Sequence, residues 1–462
     1  MILVETNGVS RVTDQLIAAM TRAVAGVKLA HHEGRVVSAR GGALGLSGLA
    51  AVARLGDRVH GRTEELSIAG EVIRVSTTSV DILPEGGIEG VALGTRLRLS
   101  APPSLCPDDS WMGRIMDPDG LPLDGRPLLP GPVACDLEAP PPSAGERRPM
   151  GGRLQTGYAI LDTLLPIARG QRIGLFAGSG VGKSTLLAGL ARSIAADVVV
   201  IGLVGERGRE LRHFTEIIMG KEGMARTVVV AATSDRAPQV RRRAARSATA
   251  IAEHFRARGL HVLLIVDSIT RFAEAHREIA VSAGEIAGLR GFPASTPSAL
   301  AALCERAGPG AEGEGDITAV YSVLVAGSDM EEPVADWLRG LLDGHVVLDR
   351  GIAERGRFPA VDVVRSVSRS LPEVATDAEN RLIGEARRLL GTYDRVETMV
   401  RAGLYTQGTD PSVDAAVSAW PSLDRFAGLT ALPSTEASFA ALQQALSGAQ
   451  VVTNSPNRRV QG

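Results

Sequence analysis

At 462 residues the chain is too long for one ordinary hydrophobic core, so two or three domains are expected. A hydrophobic share of 44%, 22% charged residues and a net charge of −2 exclude a disordered chain and a globally basic nucleic-acid binder. Aromatics at 3% leave few platforms for base stacking. Cys106, Cys135 and Cys304 lie far apart with no metal-knuckle spacing, which argues for a reducing compartment and against a disulfide framework. The start MILVETNGVSRVTDQ lacks the charged-then-apolar order of a signal peptide, and runs such as DVVVIGLVG are strand-sized, so a cytoplasmic protein is expected.

In chain order, residues 1–28 read as a helix, because Leu16, Ile17, Met20, Val24 and Val27 recur at helical spacing. That helix either packs on its own domain or docks a partner. Over 29–98 short strand candidates (GRVVSAR, DRVHGR, ELSIAGEVIRVS, TRLRLS) separated by Gly-rich turns predict a small β-barrel. Residues 99–150 are rich in Pro and Gly and read as a linker with little packing of its own. From 151 to 374 the rhythm is strand, turn, helix, with strands at RIGLF (172–176), VVVIGLV (198–204), TVVVAA (227–232), HVLLIVD (261–267) and ITAVYSVLV (317–325). Continuously apolar strands alternating with helices predict an α/β domain whose parallel sheet is covered on both faces. Residues 375–462 have helical patterns and end in a tail expected to be disordered.

The stretch AGSGVGKSTLL carries the chemistry. Gly178, Ser179, Gly180, Val181, Gly182, Lys183, Ser184 and Thr185 form a phosphate-binding loop between a strand and a helix. Its glycines let backbone N–H groups turn toward the β-phosphate, its lysine reaches the β and γ oxygens, and its hydroxyl ligates Mg²⁺. The first slot holds Ala177 rather than Gly. Lysine otherwise occurs only at Lys28 and Lys221, so a compact ammonium at 183 stands out in a chain that prefers arginine. LLIVDS places Asp267 after an apolar strand, where an acid supports the Mg²⁺ shell. VGERGREL places Glu206 directly after another strand, either orienting the attacking water or forming a surface ion pair beside Arg207 and Arg209. The arginine-rich VRRRAARSATAIAEHF (240–255) is expected to be a solvated helix with Val240, Ala244, Ala248 and Ile251 packed inward, rather than a nucleic-acid face. His31-His32 has no further ligands near it in sequence.

With these pieces the sequence resembles the ATPases of flagellar and virulence type III protein export, a family similar to the catalytic subunits of rotary ATP synthases. The resemblance is carried in order by RIMDPDGLPLDG, LPIARGQRIGLFAGSGVGKSTLL, GLVGERGREL, VDSITRFAEAHREIAVSAGE, LLDGHVVLDR, RFPAVDVVRSVSR and AGLYTQGTDPSVDAAV. The flagellar branch is the nearer one. The resemblance implies an N-terminal β-barrel, a RecA-like core and a helical C-terminal domain. It carries Glu206 over as the catalytic carboxylate with Arg207 beside it, Asp267 as the Mg²⁺-side acid, and Arg271 as a further basic group. It makes Arg369 the finger that reaches a neighbouring subunit's γ-phosphate, and Phe358 the aromatic that stacks on adenine, with Tyr405 closing the other side of the base. Two regions depart from the family pattern: IAGLRGFPASTPSAL replaces a Pro-rich turn, and the N-terminal segment and barrel match weakly.

The implied protein is a homohexameric, Mg-ATP-hydrolysing motor that unloads and exports protein subunits. Its implied partners are a stator-like regulator, a stalk protein, a membrane export gate, and export substrates with their chaperones; nucleic acid is not among them. It would sit in the cytoplasm, peripheral to the inner membrane at the base of the export apparatus. Because Glu206 and Arg369 lie on one chain, identical copies can complete each other's sites head to tail, an arrangement that closes into a ring. The competing readings are the catalytic subunit of a rotary synthase, an RNA-tracking ring of the transcription-terminator type, and a non-catalytic ring subunit.

Overall fold

The computed structural model describes residues 30–453 except 64, 65, 103 and 326–329, together with the isolated positions 17, 20 and 21. Apart from those three positions, the helix expected over 1–28 lies outside the described residues, as does the tail beyond 453. Six short strands come first: β1 (Glu33–Arg40), β2 (Ala43–Ser47), β3 (Arg58–Arg62), β4 (Ser67–Val75), β5 (Val80–Pro84) and β6 (Arg96–Ser100). Then come β7 (Ile115–Met116), β8 (Arg172–Ala177), helix α1 (Lys183–Ser193), β9 (Val198–Glu206), β10 (Thr227–Thr233), α2 (Pro238–Ala257), β11 (His261–Asp267), α3 (Ile269–Ser282) and α4 (Ser295–Cys304). The chain continues through β12 (Gly308–Pro309), β13 (Asp316–Leu324), α5 (Pro333–Leu341), β14 (Gly344–Leu348) and β15 (Val361–Ser368). It ends in α6 (Asp377–Arg401), α7 (Pro411–Ala427) and α8 (Thr435–Thr453).

The chain divides into two compact units, one of Met1–Pro142, Val198–Arg258 and Val266–Arg306, the other of Ser143–Asp197, Gly259–Ile265 and Ala307–Gly462. In the first unit the six early strands close into a barrel in the order β1-β2-β5-β4-β3-β6. Its inward side chains, among them Val36, Leu44, Leu46, Val59, Val80, Ile82 and Leu97, are all but inaccessible to water. Closure removes the open edges that would otherwise invite strand addition. Four of the strands match the predicted segments. The other two, ALGLS and VDILP, are five residues long and buried almost without alternation, so no period-two signal marks them.

The same unit carries β9, β10 and β7 as parallel neighbours, with α2 after β10. The apolar stripe of α2 falls where periodicity places it: Val240, Ala244, Ala248 and Ile251 are at most 2% exposed. The arginine stripe corrects the expectation of a solvated face. Arg242 and Arg243 each donate to Glu71 of β4 at 2.8 Å, and Arg243 also donates to Asp119 at 2.8 Å. Arg246 pairs with Glu138, and Arg241 with Glu278. Arg243 and Glu71 are both buried. Losing one partner of such a buried pair costs about 3–5 kcal/mol, so the cluster holds the barrel in one position on α2.

The Pro- and Gly-rich stretch 99–150 packs more than its composition suggests. Trp111 is buried and its indole N–H donates to the Leu129 carbonyl at 2.7 Å. Arg114 forks onto Asp124 at 2.6 and 2.8 Å, which drives the Asp124 carboxyl far below the usual carboxylate range. β7 then pairs with β10 through Ile115 opposite Val229.

In the second unit β8 lies between β13 and β14, parallel to both, and β15 closes that side antiparallel to β14. The core strand RIGLFA is buried at every position but its first, as expected for a strand covered on both faces. Helix α6 starts on a capping box of Thr376 and Glu379, and Glu379 also binds Arg153 at 3.2 Å. Asp162, fully buried, accepts from the Thr156 N–H and hydroxyl, each at 2.7 Å, and from Ser438 of α8 at 3.2 Å, which ties the helical end to the sheet domain.

Candidate active site

The second unit contains the phosphate-binding loop. β8 ends at Ala177, and the chain turns through Gly180 (φ +77°) and Gly182 (φ +85°), both left-handed, before α1 begins at Lys183. These are conformations that a residue with a Cβ adopts only at a cost of about 1 kcal/mol or more. No side chain caps α1. The positive end of its dipole and its first-turn N–H groups therefore face the loop, as an anion requires. Val181 is buried and anchors the loop, while Ser179 and Gly180 are exposed. Gly178 sits at the strand exit, and Lys183, Ser184 and Thr185 form the first turn of the helix.

Phe358 stands on this loop. A Cβ at position 182 would lie 3.2 Å from its Cδ1, and the ring is half exposed. The segment bearing it is held by Arg357, whose Nε meets Asp424 of α7 at 2.9 Å while its terminal nitrogens donate to the carbonyls of Pro359 (2.9 Å) and Val361 (3.0 Å). In the sequence Arg357 is marked only by its place next to the aromatic in RFPAVD. We expect Gly182→Ala to weaken nucleotide binding at least about tenfold, because it adds left-handed backbone strain and displaces Phe358. Titration with a fluorescent ATP analogue measures this, and unchanged affinity would refute the cradle.

Tyr405 lies in the loop between α6 and α7. Its hydroxyl donates to Asp414, which pushes the phenol up to about 12, and the Gly408 N–H donates to the same carboxylate at 2.9 Å. Arg369 follows β15 directly. Its backbone N–H is fixed to the Asp343 carbonyl at 3.0 Å, and its exposed guanidinium donates to the Arg339 carbonyl at 3.2 Å. A backbone held to the sheet with a guanidinium at the surface suits a group that acts on another molecule.

The first unit contains the acidic residues. Glu206 is the last residue of β9, where β10 shifts register so that Thr233 lies opposite it, and the Ser234 N–H donates to its carbonyl at 3.0 Å. Arg207 is exposed and pairs with Glu210 at 3.6 Å. Asp267 ends β11 and is 4% exposed. Ser268 after it caps α3, accepting from the Arg271 N–H. The Ser184 hydroxyl and the Asp267 carboxylate are each oxygen donors, the kind that a hard cation such as Mg²⁺ takes. Among the described residues no group of three or more His, Cys, Asp or Glu could hold a metal ion.

Fold and phosphate loop together define a nucleotide-binding ATPase. Residues 157–368 match the profile of the ATP synthase alpha/beta family, nucleotide-binding domain, and residues 375–447 that of the T3SS EscN ATPase C-terminal domain. The flagellum-specific ATP synthase of Agrobacterium fabrum is 42% identical over 434 residues, 93% of this chain and 92% of the relative. The type 3 secretion system ATPase of Xanthomonas euvesicatoria is 41% identical over 412 residues, 88% and 91% of the two chains. The assembled ATPase EscN of the enteropathogenic E. coli type III secretion system superposes with a TM-score of 0.83 at 36% identity, covering 89% of this chain and all of EscN. EscN in complex with its central stalk EscO superposes with a TM-score of 0.78. The chain belongs to the type III export ATPase family.

Proposed function

We infer that this protein is the ATP-hydrolysing motor of type III protein export, in its flagellar branch. The observation that carries this is the left-handed glycine turn opening into α1 under Phe358, in a chain 42% identical to a flagellum-specific ATP synthase over 93% of its length. Lys183 and the loop N–H groups bind the phosphates, and Phe358 stacks on adenine with Tyr405 on its other face. Ser184 and Asp267 would hold Mg²⁺, which would supply charge neutralisation at the phosphates. Glu206 orients the attacking water and accepts its proton, Arg207 supports the site beside it, and Arg369 of a neighbouring copy meets the charge that develops on the γ-phosphate.

The functional unit is a ring, with six copies as the resemblance implies, because each pocket takes its finger from the next protomer. A stalk protein is a natural partner, since EscN is solved with its central stalk EscO. A regulator, an export gate, substrates with their chaperones, and a position at the cytoplasmic face of the inner membrane complete this reading. Among the described residues no helix is long and apolar enough to cross a membrane. Specific ATPase rate should therefore rise with protein concentration and track the ring population in analytical ultracentrifugation. Full specific rate from strictly monomeric protein would overturn the shared-pocket reading.

A further inference from the structure

Arg369 leaves the sheet from a seat built by two adjacent residues of the neighbouring strand. Gly344, the first residue of β14, lies opposite Ser368, the last of β15. Its φ is +142°, and a Cβ there would lie 2.5 Å from the Val367 carbonyl oxygen and 3.3 Å from the Arg369 nitrogen. Only glycine lets the two backbones come this close. Beside it, the Asp343 carbonyl accepts from the Arg369 N–H at 3.0 Å. Gln171, fully buried, donates to the same carbonyl at 2.7 Å and to the Ser368 hydroxyl at 3.2 Å. The Asp343 carboxylate takes the Arg172 backbone N–H and Nε on one oxygen and Nη2 on the other, each at 3.0 Å. That fork is charge-assisted and largely sheltered from water, at 13% and 24% exposure for the two side chains. Arg172 opens β8, the strand that runs into the phosphate-binding loop.

We propose that Asp343 and Gln171 are positioning residues for Arg369. Asp343 ties the carbonyl on which the finger's backbone hangs to the first residue of β8, and Gln171 holds that carbonyl and the Ser368 side chain from inside the sheet. A finger that must meet a phosphate on another copy has to leave its own protomer along one line, because a misplacement of about 1 Å can cost about 10²-fold in rate. The seat also joins, within one chain, the strand that carries the phosphate loop to the residue that serves the neighbour's phosphate. The inference rests on the reading of Arg369 as the finger. In the sequence Gln171, Asp343 and Gly344 appear only inside the stretches ARGQRIGLF and LLDGHVVLDR, where no local chemistry marks them.

The test uses the full-length protein. Asp343→Ala should lose about tenfold or more in kcat, while the Kd of a fluorescent ATP analogue stays within about twofold, because a misaimed finger costs rate and not ground-state binding. Asp343→Asn, whose amide oxygen still accepts from Arg172, should recover to within about threefold of the parent. In the Arg369→Ala background, adding Asp343→Ala should cost less than about twofold more in single-turnover rate, since a seat without its finger has nothing left to aim. Gln171→Ala leaves the Arg172 fork intact and is read in the same two backgrounds. It should lose about threefold or more in the parent and nothing beyond Arg369→Ala, and it carries the test if Asp343→Ala does not fold. Additive losses in the double variants, equal losses in kcat and nucleotide affinity, Asn as impaired as Ala, or either folded alanine variant at the parental rate would each overturn the seat. If Arg369→Ala by itself turns over normally, the finger reading has failed, and the failure is then not one of the seat.

Discussion

Arg369→Ala should reduce ATP turnover about 10³–10⁵-fold while leaving nucleotide binding nearly intact. The charge that builds on the γ-phosphoryl oxygens in the transition state has no equal in bound ATP, so a finger that meets it lowers the barrier by about 4–7 kcal/mol without tightening ground-state binding. Arg369 suits this role because its backbone is fixed to the Asp343 carbonyl while its guanidinium is exposed and donates to the Arg339 carbonyl. Such a contact is given up easily when a phosphate competes for the fork. If the finger works on the next protomer, two dead variants should complement each other. A random mixture of Arg369→Ala and Glu206→Gln chains contains about a quarter of interfaces in which an intact Glu206 faces an intact Arg369. Partial recovery of turnover on mixing is the expected result. A dead mixture, or a single variant with normal single-turnover rate, would retire the assignment.

The second large effect is expected at Glu206. Replacing its carboxylate with the isosteric amide removes the proposed general base, a change typically worth about 10²–10⁴ in rate. Geometry and packing are kept in Glu206→Gln, so ATP affinity should remain at the parental level and the protein should trap the unhydrolysed nucleotide. Measurable steady-state turnover close to the parental rate would reject Glu206 as the water-positioning group. Local sequence left Glu206 balanced between this role and an ion pair with its arginine neighbours. In the structure the neighbour Arg207 pairs with Glu210, and Glu206 is integrated into the strand end through Thr233 and Ser234.

Much of this protein is written locally. The phosphate loop is legible because its backbone is a property of a few consecutive residues: glycines at 180 and 182 admit the left-handed turn, and RIGLF and STLL supply strand and helix on either side. HVLLIVD matches β11 residue for residue, since a strand buried on both faces announces itself as a continuous apolar run. The apolar stripe of α2 was equally plain, because helical period is a short-range signal.

What only tertiary structure decided is which side chains meet across long separations. The arginines of α2 read as a solvated face, yet Arg242 and Arg243 reach Glu71 across some 170 residues of chain and lie under the barrel. Phe358 meets Gly182, and Asp424 fixes the segment that carries it; nothing in the spacing of these residues implies either contact. The same holds for Gly344 and Arg369, where an absent Cβ lets the end of another strand approach. Periodicity records how each segment must orient toward water, which any short window contains. Ion pairs and close backbone approaches depend on where distant segments end up, and that is settled only when the chain has closed on itself.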